Sequence, residues 1–89
     1  MKFDPGQVVA TPGAFAAFEA SGDQPLDLLL KHVNLYPGDL SPEDVQENQR
    51  SVENGWRILS AYRLSDGTRI RLITESDRSS TCILLPPEY

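Results

Sequence analysis

The chain is 89 residues long, 39% hydrophobic and 24% charged, an ordinary globular composition that excludes the low-hydrophobicity, high-charge class of disordered chains. A domain this small removes only about 60–65% of its unfolded-state surface from water, so its core is thin and a deep pocket is costly. Its net charge of −5 runs against the basic balance of nucleic-acid binders, and its single cysteine, Cys82, excludes an internal disulfide.

Gln7-Val8-Val9-Ala10 reads as a brief strand, and Thr11-Pro12 then supplies an N-cap and a proline at the first helical position. The first helix carries Ala14, Phe15, Ala17 and Phe18 as its apolar face and stops at Ser21-Gly22. Pro25 starts a second helix with Leu26, Leu29, Leu30 and Val33 at helical spacing, and Asp27 and Lys31 form an i,i+4 pair on another face. Pro37-Gly38 breaks the chain. Ser41-Pro42 opens a third helix, with Leu40 placed to staple against Val45, and Asn54-Gly55 closes it. Only Val45 and Val52 are apolar within that helix, so it belongs on the surface, attached by a narrow stripe.

Residues 55–89 predict three short antiparallel strands. The Ser65-Asp66-Gly67 turn allows two registers, and the favoured one is a three-residue loop with Gly67 as the left-handed bulge residue. It pairs Tyr62 with Ile70 and Ser60 with Leu72. Trp56, Ile58, Tyr62, Leu64, Ile70 and Leu72 then share one face, and Arg57, Arg63, Arg69 and Arg71 share the other. The cost is Arg63 opposite Arg69, a like-charge pair worth about 0.2–1 kcal/mol. The expected fold is a single α+β domain over residues 1–89: N-terminal helices followed by a three-stranded antiparallel sheet, to which Val8-Val9 adds a fourth strand. The expected core is Phe15, Phe18, Leu26, Leu29, Leu30, Ile58, Tyr62, Ile70, Leu72, Ile83 and Leu85.

Charge divides the chain. Residues 1–55 hold nine acids against three bases, a balance of −6, and residues 56–89 a balance of +1. Two electrostatically distinct surfaces can attract each other within the fold or meet different partners. Four features are candidates for function. The arginine face, Arg57, Arg63, Arg69 and Arg71, suits phosphate groups, unless the acidic third helix or a second subunit neutralises it. The turn Asp77-Arg78-Ser79-Ser80-Thr81 gathers the donors of a small anion site, although Asp and Ser serve equally to bond a turn's own backbone. Glu43 and Glu47 on the polar third helix suit a basic partner, or are a solvated face. His32, with Glu75 and Arg78, has the residue types of a small ribonuclease, whereas a histidine in a last helical turn more commonly serves the dipole and end carbonyls.

The strings Val8-Val9-Ala10-Thr11-Pro12-Gly13-Ala14, Arg57-Ile58-Leu59-Ser60-Ala61-Tyr62-Arg63, residues 73–81 and the ending Leu84-Leu85-Pro86-Pro87-Glu88-Tyr89 resemble a family of short uncharacterised bacterial proteins encoded on plasmids and mobile elements. The resemblance covers almost the whole chain and implies a cytoplasmic accessory protein. The family has no assigned activity, so the resemblance brings no catalytic residue. The lone cysteine, the absence of an apolar stretch among residues 1–5 and the lack of a bilayer-spanning run agree with a reducing cytoplasm and no membrane. The expectation is therefore a non-enzymatic interaction or regulatory protein without cofactor or metal, with a protein partner favoured over nucleic acid. An uncovered edge at residues 81–85 would allow a homodimer by sheet extension.

Overall fold

A computed structural model describes residues 1–88. The elements run β1 (Gln7–Ala10), α1 (Pro12–Ser21), α2 (Pro25–Val33), α3 (Pro42–Asn54), β2 (Ile58–Arg63), β3 (Arg69–Thr74) and β4 (Ser80–Leu84), followed by a 3-10 turn at Pro86–Glu88. No helix among the described residues is long and apolar enough to cross a membrane.

The helix starts follow their local chemistry. Thr11 and Ser41 are both extended, and their hydroxyls accept from the N–H groups of Ala14 and Asp44, each ahead of a proline in the first turn. Left-handed Gly22 and Gly55 close α1 and α3. Ser41→Ala is expected to cost about 1 kcal/mol, read as a lower urea midpoint with unchanged slope.

The hairpin adopts the three-residue loop. Tyr62 pairs with Ile70, Ser60 with Leu72 and Arg63 with Arg69, and Gly67 takes φ of +89° at the bulge. The sheet differs from the expected one at its other side. Its order is β1-β4-β3-β2, and β1 lies parallel to β4, with Val8 beside Thr81 and Ala10 beside Ile83. The sheet is four-stranded and mixed, and a strand precedes the helices. Three helices separate β1 from β2, a connection long enough to return the chain in the parallel sense. The expected open edge at residues 81–85 is consequently an interior strand, and β1 is the edge.

The two edges are treated differently. Along β1, the N–H groups of Gln7 and Thr11 donate to Ser79 and Ile83 of the β4 side, so the alternation of the strand turns Val8 and Ala10 outward. Along β2, the Asn48 side chain from α3 replaces a neighbouring strand: its Nδ2 donates to the Leu59 carbonyl at 2.7 Å and its Oδ1 accepts the Leu59 N–H at 3.2 Å. The Asp39 N–H donates to the Ala61 carbonyl next along. Gly38 permits this approach, because a Cβ there would run into the Tyr62 ring and the Ala61 carbonyl.

The core lies between one face of the sheet and α1 and α2. Ala14, Phe18 and Leu28 pack against Tyr62, Leu64, Ile70, Leu72 and Ile83. A second cluster joins Phe3, Val33 and Ile58, with Val52 attaching α3. Phe18, Ile58, Tyr62, Ile70, Leu72 and Ile83 are buried as expected, and Leu29 and Leu85 are partly so. Phe15, Leu26 and Leu30 are not: they are 57%, 60% and 51% exposed. Helix α2 is rotated so that Leu28 and His32 face inward. Trp56 also leaves the apolar face, since it precedes β2 and is 49% exposed.

Candidate functional site

The other face of the sheet carries Leu59, Ala61 and Arg63 on β2, Arg69, Arg71 and Ile73 on β3, and Cys82 and Leu84 on β4, by strand alternation and register, although Ile73 and Leu84 are themselves buried. The four arginines therefore share this side of the molecule, and Arg63, Arg69 and Arg71 line one open groove of about 430 Å³. Leu59 and Ala61 contribute its apolar floor, Asp39, Leu40 and Asp44 one wall, and Pro86 the other. Two smaller hollows adjoin it. One, of about 130 Å³, continues past Asp44, Glu47 and Asn48 to Arg57, and one of about 190 Å³ lies over Ile73, Cys82 and Leu84 between Arg57 and Glu88.

The charges in this region are partly matched. Arg63 Nε donates to Asp39 at 2.8 Å. Arg57 Nε stands 3.3 Å from a Glu75 oxygen, without the alignment of a hydrogen bond. Asp39 and Glu75, neither of them on α3, thus supply the carboxylates that meet Arg63 and Arg57. Glu47 forms its ion pair with Arg50 inside α3, at 3.1 Å, and Glu43 lies exposed in the first turn, where its charge favours the helix dipole. Asp39 went unread because its place depends on a backbone bond to Ala61, 22 positions along the chain. These exposed pairs contribute at most about 1 kcal/mol each to stability.

The second candidate, residues 77–81, is built as a structural turn. Asp77 Oδ1 accepts the Ser79 N–H, the Ser79 hydroxyl and then this N–H hold the Asp77 carboxyl below the usual range, and Ser80 enters β4. Arg78, in the left-handed region at φ of +60°, directs its guanidinium inward. Its Nη1 donates to the carbonyls of Trp56, Glu75 and Ser76, and its Nη2 to that of Ser51, while the guanidinium carbon stands 5.7 Å from the Phe3 ring centre. Arg78 clamps the end of α3 to the β3–β4 turn, and its donors face carbonyls rather than an incoming anion.

His32 is fully buried, which displaces both the helix-end and the general-base readings. Its Nδ1 lies 2.6 Å from Ser60 Oγ and its Nε2 2.8 Å from Thr74 Oγ1. Thr74 Oγ1 lies 2.6 Å from Thr81 Oγ1, which donates to the Pro5 carbonyl at 2.7 Å. The protons of this chain follow by elimination. The Pro5 carbonyl only accepts, so the Thr81 proton points to it and the Thr74 proton points to Thr81. Nε2 must then carry a hydrogen and Nδ1 accept from Ser60. Every group is satisfied with a neutral imidazole, and burial pushes the His32 pKa down to about 4. The network ties α2, three strands and the segment before β1 into one unit. The signal for it was the run of Ser60, Thr74 and Thr81 at inward strand positions.

Among the described residues no group of three or more His, Cys, Asp or Glu side chains is placed to hold a metal ion. Comparison of the chain with protein-family models, with curated proteins and with solved structures found no match in any of the three.

Proposed function

We propose that this protein is a non-enzymatic interaction protein, a cytoplasmic accessory of a bacterial mobile element, that engages a protein partner through the groove over β2 and β3. The observation that carries this reading is the make-up of the groove: three arginines and two aspartates around an apolar floor, open to solvent along its length. Protein interfaces favour arginine around apolar centres, and mixed charge at the rim selects among partners. A phosphate track would call for uniform positive charge, which Asp39 and Asp44 interrupt.

Trp56 supports a second reading. It is half exposed beside Arg57, and an exposed aromatic next to a guanidinium is a stacking platform for a single-stranded base. The two readings separate by affinity capture from bacterial lysate with and without nuclease, using the native chain and the double variant Arg69→Glu, Arg71→Glu. The expected result is a protein that survives nuclease and is lost with the double variant. Capture that disappears with nuclease and with Trp56→Ala would overturn the protein-partner reading in favour of RNA or single-stranded DNA.

A further inference from the structure

The α1–α2 side of the molecule is the opposite of the groove in both charge and chemistry. Helix α1 is apolar nearly all round: Glu19 is its one charged residue, and its outward positions include Phe15, Ala16 and Ala20. A helix without a polar side ordinarily lies under something. Here Phe15 is 57% exposed, and on α2 Leu26 and Leu30, one turn apart, are 60% and 51% exposed. Where α1 passes into α2 an open hollow of about 350 Å³ is lined by Phe15, Phe18 and Pro25, with Glu19 and Asp23 as its charged residues. Asp23 is held ionised first by the Ser65 N–H, with a weaker attraction from Lys31, and on α2 Asp27 lies in the first turn and Lys31 in the last.

We propose that this face is a docking site for a basic amphipathic helix of a partner protein, whose apolar stripe covers Phe15 and Leu26 and whose lysines or arginines meet Glu19 and Asp23. Charge complementarity selects this occupant. Both ionisable residues of the hollow are acids, and residues 12–33, which build it, hold Glu19, Asp23 and Asp27 against Lys31 alone. A second copy docked face to face would set Glu19 and Asp23 against their own equivalents, and among the described residues none of α1, α2 and α3 is basic. The exposed shape is that of packed helices offering side chains rather than a strand edge, so the complementary element is a helix laid along it. The inference does not depend on the groove over β2 and β3, which lies on the other side of the sheet.

The test uses two fluorescein-labelled synthetic helical peptides with the same leucine stripe, one bearing lysines and the other glutamates, titrated by anisotropy and mapped by amide shifts. The lysine peptide is expected to bind at least tenfold more tightly than the glutamate peptide and to shift amides of α1 and of residues 22–30. Phe15→Ser and, separately, Glu19→Lys are each expected to weaken it tenfold or more. Phe15 is exposed, so its replacement should fold. Leu26→Ser serves as a second probe of the same surface should circular dichroism show otherwise. Equal binding of the two peptides, shifts confined to the acidic helix α3, or affinity unchanged by the substitutions would overturn the proposal. So would a dimer in light scattering that Phe15→Ser dissociates, which would make the occupant a second copy.

Discussion

His32→Ala is expected to lose about 4 kcal/mol of folding stability, a large part of the total for a domain of this size. Two costs add. Truncating a fully buried side chain leaves a cavity beneath α2, and the hydroxyls of Ser60 and Thr74 lose the ring nitrogens that satisfy them. His32→Leu restores the volume but not the partners, so it should recover about half. The native chain should also show acid sensitivity well above the carboxylate range. The unfolded histidine takes up its proton near pH 6.5, and the folded one refuses it until about pH 4. Between those values the unfolded state binds more protons, so stability is full above pH 6.5 and falls as pH falls, by roughly 3 kcal/mol across the window. Urea titrations at pH 7.5, 5.5 and 4.5 measure both effects. A loss below about 1 kcal/mol in His32→Ala, or an undiminished slope between pH 6.5 and 4.5 in His32→Leu, would show that the chain of hydroxyls does not govern the fold.

The second large effect is expected at Arg78. Its guanidinium reaches carbonyls from the last turn of α3, from Trp56 and from the β3–β4 turn, a set that no single local bond replaces. Charge-assisted bonds of this kind are worth about 1.5–3 kcal/mol before screening, and two of the four are partly buried. Arg78→Ala should therefore cost about 3 kcal/mol, lowering the melting temperature by roughly 12–24 °C in a domain of this length. Arg78→Lys keeps the charge but loses the planar fork, and should regain less than half. A small change in either variant would mean that α3 is held by Asn48 and Val52 alone. The same pair of variants discriminates a clamp from an anion site, since a phosphate-binding arginine would leave stability nearly unchanged when removed.

What the sequence could say follows from the range of each interaction. The helix starts were legible because Thr11-Pro12 and Ser41-Pro42 act within three residues. The hairpin register was legible because only the longer loop separates the arginines from Tyr62, Ile70 and Leu72. The pairing of β1 was not, since all four of its residues are exposed and no apolar alternation announces its neighbour. The inward side of α2 was not legible either. Leu26, Leu28, Leu29 and Leu30 are equal in apolarity, and the choice among them is made by His32 finding Ser60 and Thr74, 28 and 42 positions away. For the groove, the arginines were legible as one set by strand alternation, whereas Asp39 and Pro86 reach it only through turns whose course depends on the finished sheet.

The side chain of Asn48 bears on what happens when many copies of this protein are crowded together. By occupying both backbone groups of Leu59, with the Asp39 N–H on the Ala61 carbonyl beside it, it blocks the middle of β2 as a template for foreign strands and leaves β1, at Val8 and Ala10, the more open rim among the described residues. Polymerisation through a sheet needs two complementary rims on every unit, one to receive and one to offer. A blocked second rim works against the growth of a fibre, because a unit that joins a neighbour through β1 offers little of β2 to the next.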